Sequence, residues 1–247
     1  MTNRVALVTG GMGGLGTALC RRLHLDGFTV ATTFSPSNHR HEAWLAKQRR
    51  DGMACIALEA DVADFEACGR AVGRLLEQAG RIDVLVNNAG ITRDRDMRRM
   101  GLDDWHAVMG VNLDGAFNMV RHVIEPMVAQ QWGRIVNIAS SSGQLGAVGQ
   151  ANVAAAKAGM HGLTRALALE LARQGVTVNT VSPGYIDTGL LHDVPPHVLH
   201  ECILPHIPVG RLGRPEEVAG MVAWLVSDVA GFVTGANLAV NGGQHMC

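Results

Sequence analysis

The stretch Thr9-Gly10-Gly11-Met12-Gly13-Gly14-Leu15-Gly16 follows directly on the β-branched run 5–8 and leads at once into a helical pattern over 16–26. A strand, a glycine cluster and a helix in that order have a specific use. Glycines let the backbone turn sharply and approach a pyrophosphate, and the helix start offers free N–H groups and the positive end of its dipole. Alone, such a cluster reads equally as a tight turn. After the first strand of an alternating chain it reads as a dinucleotide site, with Thr9, Gly10, Gly11, Met12, Gly14, Leu15 and Gly16 as its residues.

Further apolar runs stand at 28–33, 54–58, 84–86, 135–138, 176–181 and 238–240. They are β-branched and unalternated, as strands buried on both faces should be. Between them, segments such as 64–78 and 151–173 repeat apolar residues every three or four positions. This alternation predicts an α/β fold, a doubly wound parallel sheet with helices on both faces. The 247 residues fit one domain, 1–247. At 47% apolar and 17% charged residues the composition is globular. One long irregular stretch, 183–208, reads as a substrate loop.

Several function classes are disfavoured. A net charge of −1 leaves no basic excess for nucleic acid. The Ala-rich stretch 147–172 is interrupted by Lys157, His161, Arg165 and Glu170, so no membrane span is expected. No signal-peptide pattern precedes the first strand. Cys20, Cys55, Cys68, Cys202 and Cys247 are odd in number and form no C-x-x-C pair, so they read as reduced thiols of a cytoplasmic protein. Of the late histidines His192, His197, His200, His206 and His245, the pair His197 and His200 is spaced i, i+3 rather than i, i+4, and no third ligand is placed. No metal is expected.

The second strand bears on which dinucleotide binds. An acidic residue at its end would hold the ribose hydroxyl of NAD, but the end reads Thr33-Phe34-Ser35, with Arg40 following between His39 and His41. This favours NADPH over NADH, with Ser35 and Arg40 at the 2′-phosphate. The alternative is that Arg40 is a solvated residue starting the next helix.

Thr9-Gly10-x-x-x-Gly14-x-Gly16, Asp61-Val62, Asn87-Asn88-Ala89-Gly90, Asn112, Ser140, Lys157 and Pro183-Gly184 stand in the order and spacing of the short-chain dehydrogenase/reductases. The resemblance covers essentially the whole chain. Within the family it is nearest to the acetoacetyl-CoA reductases of polyhydroxyalkanoate synthesis, with the 3-oxoacyl-ACP reductases as close relatives. The stretches NNAGITRD, WGRIVNIASSSGQ and VTVNTVSPGYIDT carry it. It implies a Rossmann-type sheet of seven strands, a homotetramer, and reduction of a 3-oxoacyl thioester such as an acyl-CoA by a nicotinamide cofactor. By the same resemblance Asp61 and Val62 flank the adenine, and Asn88, Ala89 and Gly90 line the cofactor. Pro183, Gly184 and Thr188 then sit by the nicotinamide carboxamide, while Asp94, Gln150 and Tyr185 meet the substrate. Blander readings stand beside these. Asp61 could cap the helix starting near Asp64, Asn87 to Gly90 could simply close a strand, and Arg93 to Arg99 could be a solvated face rather than a site for CoA phosphates.

Ketone reduction needs a hydride on carbon and a proton on oxygen. In the resembled family a tyrosine gives the proton, and a lysine one helical turn on lowers its pKa from ~10 and also binds the nicotinamide ribose. A serine bonds the carbonyl and an asparagine supports a water chain. This chain has Ser140, followed by Ser141 and Ser142, and it has Lys157 and Asn112. Thirteen residues after Ser140, at the tyrosine's place, stands Val153. The one tyrosine, Tyr185, lies in the loop after Pro183. Val153 has three explanations: an introduced substitution, a chain that binds cofactor without efficient turnover, or a different proton donor. No Tyr, Cys, Asp or Glu nearby in sequence replaces the phenol. A positioned general acid contributes ~10²–10⁴-fold, so the expectation is a strongly impaired reductase whose Lys157 is as much a ribose ligand as a catalyst.

Overall fold

The computed structural model describes residues 4–189 and 194–246. Among them are seven strands: β1 (Val5–Val8), β2 (Thr29–Phe34), β3 (Cys55–Glu59), β4 (Val84–Asn87), β5 (Gly133–Ile138), β6 (Val176–Pro183) and β7 (Asn237–Val240). They form one all-parallel sheet in the order β3-β2-β1-β4-β5-β6-β7. Every apolar run read from the sequence falls on a strand. The helices are α1 (Gly14–Leu25), α2 (His41–Arg50), α3 (Phe65–Ala79), α4 (Leu102–Met109), α5 (Gly115–Ala129), α6 (Ser142–Leu145), α7 (Ala151–Leu171), α8 (Pro196–Val198) and α9 (Pro215–Leu225).

Successive residues of a strand point to opposite faces, and here each face has its own core. Val5 and Leu7 join Leu85, Ile135 and Val178 under α3, α5 and α7. Ala6 and Val8 join Val30, Val86 and Ile138 under α1 and α9. β1, β4, β5 and β6 are buried along their whole length. The outer strands β3 and β7 are not, which corrects the expectation of burial on both faces for every run. They are the sheet edges, where neighbours cover less of each residue.

Three boundaries differ from the sequence reading. α1 starts at Gly14, inside the glycine cluster, because apolar periodicity is blind to helical glycines. α7 stops at Leu171, and a 3₁₀ turn (Ala172–Gln174) ends at Gly175, whose φ of 78° suits glycine. The stretch 183–208 is not wholly irregular. Ile186 bridges Gly213, and α8, a π-helical turn (Leu199–Ile203) and a 3₁₀ turn (Leu204–His206) follow. Pro195 and Pro196 stand at the start of α8, where proline is tolerated, so they mark a helix rather than a loop. Residues 190–193, part of the expected substrate loop and including His192, lie outside the described residues, as does Cys247.

The chain crosses one way from β1 and the other way from β4. Their adjacent C-terminal ends therefore border the crevice where open α/β sheets take ligands.

Candidate active site

Thr9 leads out of β1 and ties the two loops at that crevice together. Its hydroxyl accepts from Asn88 N and Ala89 N, each at 2.9 Å. Asn88 Nδ2 donates back to Thr9 O at 2.9 Å and Gly10 O at 3.2 Å. Gly10 turns at φ +61°, and a Cβ there would lie 3.1 Å from Ala89 Cα. Gly11 N donates to Thr32 Oγ1 at 2.8 Å, and a side chain on Gly11 would run into that oxygen. A side chain on Gly16 would run into Gly10 O. No side chain caps α1 and its first turn holds no acid, so its first N–H groups are left for an anion. The loop is thus a backbone cradle that fits a pyrophosphate.

The other cofactor candidates surround it. A Cβ on Gly14 would lie 3.0 Å from Thr188 Cβ, so the chain after β6 folds over the glycine loop. Pro183 ends β6 in the core, and Gly184 N donates to Val240 O at 3.1 Å beside Asn241 and Gln244. Ser35 is exposed and shares a hydroxyl contact with Ser37 at 2.9 Å. Arg40 is exposed at the head of α2, with its backbone N on Asn38 Oδ1 at 3.1 Å. Asn38 in turn reaches Met12 Sδ at 3.6 Å, linking the end of β2 to the glycine loop. Asp61 is exposed and bonds Ala63 N at 3.0 Å; the cap of α3 is Asp64, which accepts from Ala67 N at 3.0 Å. The reading of Asp61 as that cap is thereby corrected, since a cap serves the N–H three residues on. Val62 is buried, with its carbonyl held by Asn118 Nδ2 at 2.8 Å and its side chain against Gly115.

Two of the catalytic candidates, Asn112 and Lys157, meet at Gly90. A Cβ there would lie 3.4 Å from Asn112 Oδ1 and 3.7 Å from Lys157 Nζ. Asn112 occupies a π-helical turn (Gly110–Asp114) between α4 and α5, and such turns often mark functional positions. Its side chain accepts from Ile91 N at 2.8 Å and donates to Ile91 O at 3.0 Å. Lys157, on α7, donates to Ile138 O at 2.7 Å, and burial lowers its pKa to about 8. Ser140 follows β5, and its Oγ accepts from Ser142 N at 3.2 Å and Ser142 Oγ at 3.0 Å. Val153 lies one turn before Lys157 and is only 5% exposed, so it lines the packed interior and not the surface.

Asp94 and Gln150 do meet, with Gln150 Nε2 donating to Asp94 Oδ2 at 2.9 Å. Arg95 N donates to Gly149 O at 2.8 Å, and an open cavity of about 300 Å³ is lined by Asp94, Arg95, Asp96, Arg99 and Gly149. Tyr185 lies in the segment after β6. Its carbonyl accepts from Gly213 N at 2.9 Å and its side chain is partly exposed. Sequence reasoning overlooked Asn38, Asn118 and Asn152. Asn152 is fully buried, donates to Arg93 O at 3.1 Å and Asp104 O at 3.3 Å, and so pins both the segment before α4 and the first turn of α4 to the start of α7. An asparagine inside an otherwise apolar helix pattern was the available signal. Among the described residues no group of three or more His, Cys, Asp or Glu could hold a metal, and no helix is long and apolar enough to cross a membrane.

A family profile described as enoyl-(acyl carrier protein) reductase matches residues 10–245. The chain is 51% identical over 246 residues to an acetoacetyl-CoA reductase of Cupriavidus necator, covering 100% of both chains. It belongs to the short-chain dehydrogenase/reductase family. Other relatives in the family carry different names. A nodulation protein G of Azospirillum brasilense is 46% identical over 99% of both chains. A 3-oxoacyl-[acyl-carrier-protein] reductase of Synechocystis is 43% identical over 100% of this chain and 98% of its own.

Proposed function

We propose that this family member binds NADPH and acetoacetyl-CoA in the cytoplasm, as a single-domain homotetrameric reductase of 3-oxoacyl thioesters in polyhydroxyalkanoate synthesis, with proton transfer strongly weakened at Val153. The observation that carries the reading is the convergence of Asn112 and Lys157 on Gly90, with Val153 buried one turn before the lysine. The glycine cradle and the uncapped start of α1 support a dinucleotide, and the lack of an acid at Ser35 with Arg40 nearby supports NADPH. When bound, the nicotinamide supplies the hydride.

The chain's own residues divide the remaining work. Ser142 fills the acceptor sites of Ser140 Oγ through its N–H and hydroxyl. The hydroxyl proton of Ser140 is then free to donate to the substrate carbonyl, where negative charge develops. Lys157, with its pKa lowered by burial to about 8, remains an ammonium at neutral pH and holds its charge beside Gly90. Val153 has no proton to give, so water must deliver it. The contact between Asp94 and Gln150, with Arg95 and Arg99 beside it, supports a thioester mouth that meets CoA phosphates.

The test is NADPH oxidation with acetoacetyl-CoA by this chain and by Val153→Tyr. The tyrosine variant should gain ~10²–10⁴-fold in kcat. Equal rates would show that residue 153 is not the donor position or that the substrate is wrong. Val153 also favours a second reading, a non-catalytic NADP(H)-binding partner subunit. That reading predicts tight NADPH binding in titration with negligible turnover of any 3-oxoacyl thioester by the unaltered chain. Rates of Val153→Tyr on CoA and acyl-carrier thioesters separate acetoacetyl-CoA reductase from 3-oxoacyl-ACP reductase.

A further inference from the structure

Cys20 and Cys55 are distant in sequence and take no part in the reduction chemistry. Cys20 is fully buried on the sheet side of α1. Its Sγ lies 2.7 Å from where a side chain on Gly11 would begin and 3.9 Å from Gly11 O, so the sulfur forms part of the floor under the glycine loop. Cys55 opens β3 opposite Val30 of β2. Paired residues of a parallel sheet share a face, and Val30 belongs to the core that α1 covers. Cys55 packs against that same core, of which Cys20 is a buried member, and is itself half-buried. Both are free thiols. The Cys55 thiol and burial together hold the Cys20 thiol well above its ordinary pKa. The Cys20 thiol is therefore slow to react near neutral pH and faster as pH rises.

We infer that Cys20 and Cys55 form a modification site beneath the nucleotide loop, closed to a disulfide by small disulfides such as glutathione disulfide, and that closure weakens dinucleotide binding. The coupling rests on the reading of the loop as a dinucleotide site. The half-buried Cys55 meets the reagent first. Its thiolate attacks one sulfur of glutathione disulfide, forming a mixed disulfide and releasing one glutathione thiolate. The Cys20 thiolate then attacks the Cys55 sulfur, the bond to glutathione breaks, and the second glutathione thiolate leaves. The two protein thiol protons end on the two glutathiones; the pair loses two electrons and the reagent gains them. A disulfide bond is ~2.05 Å long, much shorter than a contact between two thiols. Closure moves Cys20 Sγ toward Cys55 and changes the floor on which Gly11 rests.

The full-length chain carrying Cys202→Ser and Cys247→Ser is treated with glutathione disulfide at mildly alkaline pH, digested with trypsin and weighed. Cys68 remains as an internal control, because burial and then Asp64 and Asp61 push its thiol up to about 12. The expected product links peptide 5–21 to peptide 51–70 with the loss of two hydrogens. It should be absent from Cys20→Ser and from Cys55→Ser. NADPH affinity should fall by roughly tenfold on oxidation, the scale of one charge-assisted hydrogen bond, and return with dithiothreitol. Glutathione retained on Cys55 without the link overturns the inference, and so does linked protein that binds NADPH as tightly as reduced protein. Reduced protein that binds no NADPH instead overturns the dinucleotide reading and the coupling with it, while the link itself is judged by mass.

Discussion

Lys157 hydrogen-bonds Ile138 O and lies against Met160 Sδ, and burial takes its pKa from 10.5 to about 8. Burial disfavours the charged amine. Below about pH 8 the folded and unfolded chains both hold the proton, so this group adds no slope to stability. Between about 8 and 10.5 the unfolded lysine keeps its proton and the folded one has lost it, so folding gains with rising pH. At ~1.4 kcal/mol per pH unit the window is worth roughly 3 kcal/mol. Urea unfolding of the native chain and of Lys157→Met should therefore differ by a constant below about pH 8, then move in the native chain's favour by that order. A difference flat across the whole range would mean that Nζ is solvated. Ser140, Lys157 and Val153 were legible as a set through the family resemblance; helix geometry by itself fixes only that Val153 and Lys157 stand one turn apart. The donation of Ser142 to Ser140 was not legible because it depends on the turn that the chain takes after β5, and the pinning by Asn152 was not because it depends on where residues 93–104 return in space.

At the scale of elements, the glycine loop makes a sharper claim than its motif does. Gly11 and Gly16 have no room for a side chain, whereas a Cβ on Gly13 would meet only Gly10 O, at an ordinary 3.6 Å. Gly11→Ala and Gly16→Ala should each cost about 1–3 kcal/mol from overpacking, roughly 3–10 °C in melting temperature for a chain of this size. Both should lose NADPH binding, and Gly13→Ala should melt close to the native chain. Scanning calorimetry and a fluorescence titration read the three together; equal melting for all would mean that the loop rearranges freely around Thr32 and Gly10. The strands were readable because inner parallel strands are continuous apolar runs. The stretch from α4 to α5 was not, since its π-helical turn breaks the helical period, and Gly110 and Gly115 at its ends read equally as ordinary helix breaks. The helical turns over 196–206 were hidden for another reason, since their prolines read equally as loop.

At the scale of the whole molecule, aromatic-bearing apolar patches stand uncovered among the described residues, one on each face of the sheet. Phe65 on α3 and Phe117 on α5 stack with ring centroids 6.5 Å apart, and Phe117 is half exposed. Across the sheet, Trp224 on α9, Val229 and Phe232 are exposed, with Phe232 wholly so. Met246, beyond the incompletely covered edge strand β7, is exposed as well. Aromatic rings left in water cost about 1.5–3 kcal/mol each relative to burial, and large uncovered patches mark contact surfaces. One self-complementary patch closes a dimer; two distinct ones are what a tetramer of dihedral symmetry needs. The chain should therefore behave as a tetramer in size-exclusion chromatography with light scattering. Phe117→Lys and Phe232→Lys should each reduce it to dimers through the remaining patch, and the double variant should be monomeric. A native chain that runs as a monomer sinks the argument. α5 begins directly after the turn that carries Asn112. Phe117→Lys should accordingly also lower the activity restored by Val153→Tyr, while Phe232→Lys should leave it largely intact.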